Sequence, residues 1–312
     1  MATALAAAAP QSGQAQTAVL PSSEVSVAMI DLGANRLYSA DPNVTFVDLT
    51  PAPKEGFRSA SSKVAGRDHG EIVAQSFMQE YRRIDPSAKV TIYTINPFIE
   101  KSGGGPMMLS RTMLRQALPG LAGKGVRVAI TTFGVSDEKA GTLVLDDLRS
   151  AGLVVFAATP NKRDDEGIWP AASPNAIAVA DGVTPDAPIF KERSWASWVD
   201  VVANGQFHRD AIDVDGSSFA TPRAAAYGVS FMSRNPQATM EDVRTSLLKD
   251  GDLRTIGSAR MTYVGGDSMA RAYASLSTQR TPGRSASPGI GTASNDAVDP
   301  VATLAGRTTN AR

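Results

Sequence analysis

Two histidines, His69 and His208, are the only side chains here that normally titrate near neutrality, and the chain has no cysteine. Any histidine chemistry must therefore use one of these two imidazoles. Thiolate nucleophiles, thiolate metal sites and disulfides are excluded. Serine has the most suggestive setting. The segment Asp215-Gly216-Ser217-Ser218-Phe219-Ala220-Thr221-Pro222 runs into Arg223-Ala224-Ala225-Ala226. A Gly-x-Ser opening a helix of small residues puts a hydroxyl and backbone N–H groups at the positive end of the helix dipole. A serine nucleophile needs such a place, because an oxyanion forms beside it. The plainer reading is a well-capped helix, with Pro222 expected in its first turn. Asp31 directly follows Val25–Ile30 and precedes Leu32-Gly33, so it is either a turn cap or a carboxylate able to orient another group. His69 precedes Gly70 and Ala74, small residues that allow a closely packed helix start. His208, in Gly205-Gln206-Phe207-His208, has neither strand end nor helix start behind it and reads as a loop residue.

These residues need a scaffold, and the hydrophobic pattern supplies one. Short β-branched runs occur at Val25–Ile30, Val90–Ile95, Val126–Phe133, Leu153–Ala158 and Ala176–Ala180. Nearly continuous apolar runs suit strands buried on both faces, as in a parallel sheet. Helical stretches alternate with them: His69–Ile84, Met108–Leu121, Asp137–Ala151, Ser218–Met232, and Thr239–Leu248 with Thr239 and Asp242 as caps. Strands alternating with helices imply right-handed crossovers and an α/β fold, a doubly wound, mostly parallel sheet with helices on both faces. Such sheets bind ligands at the carboxyl ends of their strands, where Asp31 lies.

Composition sets the limits. Hydrophobic residues at 42% and charged residues at 20% suffice for one sizeable core. Zero formal net charge argues against a nucleic-acid partner. No apolar run approaches the ~18 residues of a membrane span. Residues 1–23 carry no charge, and residues 277–312 are rich in Ser, Thr, Gly, Ala and Pro without an aromatic. Both read as disordered tails, the first alternatively as a weak signal segment. The single folded domain is expected over residues 24–276.

At this point the motifs carry a resemblance. Gly216-Ser217-Ser218-Phe219-Ala220-Thr221-Pro222 resembles the G-T-S-M-A-T-P signature of the subtilisin family of serine endopeptidases. Val27-Ala28-Met29-Ile30-Asp31-Leu32-Gly33 resembles its V-A-V-I-D-T-G, and Asp68-His69-Gly70-Glu71-Ile72-Val73-Ala74 its H-G-T-H-V-A. The order Asp, His, Ser is the family's order. Val154–Asn161 and Pro174–Val179 are similar to two further family segments. The resemblance implies peptide-bond hydrolysis with Ser218 as nucleophile, His69 as general base and acid, and Asp31 holding the imidazole. It further implies Asn161 as oxyanion donor beside the Ser218 N–H. Thr132-Phe133-Gly134 matches S-L-G, the extended segment on which substrate pairs as an added strand. The partner would be a polypeptide substrate and the chain a monomer, with no cofactor; no metal is assigned, since no acidic cluster in the sequence justifies a calcium site. The 23 residues before Glu24 are too few for the family's propeptide.

The pattern also departs from the family. Glu71-Ile72 stands where Thr-His is usual, and Thr159-Pro160 replaces Ala-Gly just before Asn161, removing backbone freedom there. Residues Asn96–Met108, with Ser102-Gly103-Gly104-Gly105-Pro106, lack the ending of a phosphate loop and read as an irregular surface loop near the cleft. Phe133 suggests an apolar wall of the substrate site. Two other readings stand beside the endopeptidase. One is an inactive binding or scaffold module of the same fold. The other is an α/β-hydrolase esterase, which would need G-x-S-x-G and the order Ser, acid, His, whereas Ala220 holds the second glycine position here. Export or delivery to a host is preferred to a cytoplasmic place.

Overall fold

The computed structural model describes residues 24–34, 37, 39, 41–161, 167–182, 197–209, 212–256, 259–277 and 302–303. Nine strands form the central sheet: β1 (Glu24–Ile30), β2 (Val44–Asp48), β3 (Lys89–Ile95), β4 (Val128–Thr131), β5 (Val154–Ala158), β6 (Ile177–Asp181), β7 (Val201–Ala203), β8 (Asp252–Ile256) and β9 (Ala259–Val264). Their spatial order is β8-β9-β7-β6-β5-β4-β1-β3-β2. Neighbours are parallel throughout except at the β8–β9 edge, where Asp252 faces Tyr263. Among the described residues the α-helices are α1 (His69–Ile84), α2 (Arg111–Ala117), α3 (Glu138–Ser150), α4 (Ser217–Arg234), α5 (Met240–Asp250) and α6 (Gly266–Ser277).

Strand alternation divides the core into two layers. Val25, Val27 and Met29 of β1, Val128 and Ile130 of β4, and Val154 and Phe156 of β5 pack with α1, α4, α5 and α6. Ala28, Ile30, Ala129, Val155 and Ala157 face the other way, against α2 and α3. Helix α4 is buried along almost its whole length, so small residues dominate where it crosses the sheet. A Cβ on Gly228 would lie 2.5 Å from Phe156 Cζ. Parity continues past β1, and residue 31 falls on the layer of residues 25, 27 and 29. That layer is covered by the helices that open with His69 and Ser217.

Several expectations change in detail. Helix α2 starts at Arg111, where the Ser110 hydroxyl accepts the Met113 N–H at 3.3 Å, and a 3-10 turn follows at Leu118–Leu121. The stretch from Asn96 is not wholly irregular. Phe98–Lys101 pairs antiparallel with Phe57–Ser59 and Met108–Leu109. Pro222 lies in the second turn of α4, because that helix begins at Ser217. His208 sits on a hairpin strand, Phe207–Arg209, paired with Ile212–Val214, rather than in a loop. In the C-terminal tail, Ala302–Thr303 pairs with Met108–Leu109, so these two residues form a strand. The rest of that tail and residues 1–23 lie outside the described residues. No helix among the described residues is long and apolar enough to cross a membrane.

Candidate active site

The site begins where β1 ends. Asp31 is 1% exposed, and its carboxylate accepts the Leu32 N–H at 2.6 Å. Helix α1 starts against the same turn: the Gly70 N–H donates to the Leu32 carbonyl at 3.0 Å. A Cβ on Gly70 would lie 3.0 Å from both Ala34 Cα and the Leu32 oxygen. Only glycine allows this approach without moving backbone. The His69 N–H, one residue earlier, donates to the Ser62 carbonyl at 2.9 Å. The imidazole is thereby fixed beside Asp31, with Nδ1 2.9 Å from each carboxylate oxygen. Nδ1 then carries the proton and Nε2 is left as an acceptor. Burial lowers the His69 pKa, but the charge of Asp31 and the hydrogen bond to it outweigh burial, so the net shift is upward.

Helix α4 brings in the serines. Gly216 precedes it with φ of 154°, a conformation that favours glycine. A Cβ there would come within 3.0 Å of Asn161 Oδ1. Phe219 packs its ring on His69, centroids 5.6 Å apart, so Ser218 lies next to the residue against the imidazole. Ser218 is 9% exposed, and its Oγ donates to the Thr132 carbonyl at 3.4 Å. In this first turn the Ser217 N–H donates to Asn161 Oδ1, and those of Phe219 and Ala220 to the Gly216 carbonyl, which leaves the Ser218 N–H for an anion.

Asn161 is brought to the same helix start despite the Thr159-Pro160 step. Its Oδ1 accepts the Ser217 N–H at 2.8 Å and the Ser217 hydroxyl at 2.9 Å. The single hydrogen of that hydroxyl is shared with the Thr159 carbonyl. Fixing Oδ1 fixes the opposite end of the amide, Nδ2, as the donor. Ser217 and Thr159 thus hold the Asn161 side chain in place, contacts that sequence reasoning left without a role. The double serine after Gly216 was the available signal.

Thr132, Phe133 and Gly134 follow β4 directly. Phe133 is 7% exposed and meets Phe98 edge-on at 5.0 Å; it belongs to the core and does not wall the cleft. Gly134 faces Ile168 instead. Glu71, at the family's second histidine position, pairs with Arg67 at 2.9 Å and accepts from Gln75, away from Asp31. His208 pairs with Asp213 at 2.9 Å, both side chains largely exposed, and is apart from the cluster. A cavity of about 540 Å³ opens beside Gly33 and Asp68, rimmed by the ion pairs Lys63–Asp68 and Arg58–Glu100. Among the described residues no group of three or more His, Asp and Glu side chains is arranged to hold a metal ion.

A parallel sheet with a buried Asp paired to a partly buried His at one strand end and a serine opening a buried helix is the architecture of a serine hydrolase. The subtilase family model matches residues 22–263, and the chain belongs to that family of serine peptidases. Its fold is shared by the prenylagaramide maturation protease PagA, at 17% identity and a TM-score of 0.54 over 80% of this chain and 93% of that one. A cold-adapted subtilisin-like serine proteinase is similar at 18% identity and a TM-score of 0.56, over 78% and 89% respectively. No curated protein sequence matches the chain.

Proposed function

We propose that the chain is an endopeptidase that cleaves polypeptides through Asp31, His69 and Ser218 and an acyl-enzyme intermediate. The observation that carries this is the His69 Nδ1 contact with both oxygens of a buried Asp31, in a ring that packs on the residue after Ser218. Asp31 sets the tautomer, so Nε2 takes the Ser218 proton as Oγ attacks the peptide carbonyl. The oxyanion is received by the Ser218 N–H and Asn161 Nδ2. His69 returns the proton to the departing amine, and water, activated the same way, hydrolyses the ester. Thr132-Phe133-Gly134 holds the substrate backbone as an added strand. The reaction needs one copy of the chain and no cofactor.

A fluorophosphonate probe tests this directly, since it labels only an activated serine. Labelling is expected on Ser218 and is expected to vanish in His69→Ala. An unlabelled Ser218 in folded protein would leave the binding-module reading in its place.

A further inference from the structure

The gap beside Gly134 carries one more step, which rests on the endopeptidase reading. Strands β4 and β5 are neighbours, with Thr131 opposite Ala157. Their continuations, Thr132–Gly134 and Thr159–Asn161, therefore leave the sheet side by side. An acyl carbon attacked by Ser218 Oγ has its oxygen on the Asn161 side and its own backbone along Thr132–Gly134. The side chain of that substrate residue must enter the gap between the two segments.

Gly134 contributes no side chain to this gap, and Ile168 lies where its Cβ would be. A Cβ built on Gly134 would lie 1.7 Å from Ile168 Cδ1 and 1.8 Å from its Cγ1. The isoleucine thus occupies the space directly in front of the glycine. Its backbone is clamped on both sides. The Val135 N–H donates to the Trp169 carbonyl at 2.8 Å and the Trp169 N–H to the Val135 carbonyl at 3.0 Å, while the Ile168 carbonyl accepts the Ala172 N–H at 2.9 Å. Gly167 is wedged as well, with room for a Cβ only 2.6 Å from Ala172 Cβ and 3.3 Å from the Trp198 ring. A β-branched side chain has restricted χ1 freedom, so Ile168 cannot readily swing out.

We infer that Ile168 closes the acyl-side pocket and restricts cleavage to bonds after small residues such as Ala, Gly or Ser. Steric exclusion sets the scale: one methylene in an apolar pocket is worth about 10- to 200-fold in kcat/KM, and a phenylalanine ring overfills this gap by several carbons.

The test uses peptide p-nitroanilides identical except for Ala, Leu or Phe at the residue bearing the scissile carbonyl. The expected order of kcat/KM in the native enzyme is Ala over Leu over Phe, with Phe at least about 10-fold below Ala. Ile168→Gly is expected to raise kcat/KM for the Phe substrate by about 10- to 100-fold and so to reverse or level the Ala-over-Phe ratio. Ile168→Ala, gentler on folding, should do the same to a smaller degree. A native preference for Phe, or an Ala/Phe ratio unmoved by both variants, overturns the inference. A binding arm separates it from the catalytic reading. Calorimetry on Ser218→Ala compares tetrapeptides ending in Ala and in Phe, and the Ala peptide should bind more tightly, with Ile168→Gly abolishing the difference. If fluorophosphonate fails to label Ser218 while this binding order holds, the pocket stands and the endopeptidase reading falls. If Ser218 is labelled and both peptides bind alike, the reverse is true.

Discussion

On one side of the cleft, Asp31 and His69 sit on elements joined by backbone: Gly70 to Leu32, His69 to Ser62, and a glycine whose Cβ would crowd the Leu32–Ala34 main chain. On the other side, Asn161 is held by the side chain and N–H of Ser217, and the space before Gly134 is set by Ile168. Backbone contacts on the first wall leave substitution little to adjust, because any shift moves the β1 turn itself. The second wall is assembled from side chains and can be altered one residue at a time. Departures from the family pattern fall accordingly. Thr159-Pro160 and Ser217 lie on the second wall, while Glu71, although on α1, faces Arg67 and Gln75 rather than Asp31. The proposed proton-transfer geometry is thus tied to the main chain, and substrate preference to replaceable side chains.

The strongest way to break this division is to remove the chemistry. Ser218→Ala or His69→Ala should lower turnover by about 10⁶-fold, a magnitude carried over from subtilisin, a member of the same family. His208→Ala, on the exposed hairpin, should keep nearly full activity. Steady-state kinetics on a peptide amide decides, and equal losses from the two histidines would remove the first wall's special standing.

The second wall should give smaller and separable losses. Asn161→Ala is expected to cost about 10²–10³ in kcat with little change in KM, again subtilisin's own range for its asparagine donor. Ser217→Ala deletes one of two bonds to Asn161 Oδ1 and leaves the backbone N–H in place. At about 1 kcal/mol for a net hydrogen bond, its cost should be roughly five- to tenfold in kcat. Combined with Asn161→Ala, the Ser217 change should add almost nothing, because its target is gone. Full additivity in this double mutant would show that Ser217 acts on something other than Asn161.

Much of the first wall was legible in the sequence. Val25–Ile30 announces a doubly buried strand, Asp31 follows it at once, and His69-Gly70 opens a helix that begins and ends where the periodicity places it. Local sequence determines local structure there. The strand Val44–Asp48 was missed because it is a half-buried edge strand with little apolar run. Strand β8 was missed because it is an antiparallel edge with polar residues such as Asp252 and Arg254, and β9 because its buried run, Met261–Val264, is short and interrupted by Thr262. The Phe98–Lys101 pairing hid behind the Gly-rich turn that follows it. Ile168 was illegible for a different reason. Its partner Gly134 is 34 positions away in sequence, and whether an isoleucine fills a pocket or lines a surface is decided only when the two strand ends meet. Phe133, which looked like the wall, instead completes the core with Phe98.

The finest probe of the first wall is pH, because it reads the Asp31–His69 contact without deleting the base. Burial alone would lower the His69 pKa, yet Asp31's charge and hydrogen bond raise it above the ordinary value of 6.5. The base must be neutral to accept the serine proton, so kcat/KM should rise with pH through a limb displaced above about 6.5. Asp31→Asn removes the charge, and the remaining burial should carry the limb to lower pH even as the maximal rate falls. Stability moves with the opposite sign. A raised folded pKa means the charged pair stabilises the fold fully below about pH 6.5, and that contribution fades as pH climbs through the folded value. The difference in unfolding free energy between the native chain and His69→Ala should therefore shrink between mildly acidic and alkaline pH, which denaturation midpoints at several pH values would reveal. A limb that stays put in Asp31→Asn would mean the carboxylate positions the ring without tuning it, and backbone placement alone would then distinguish the first wall from the second.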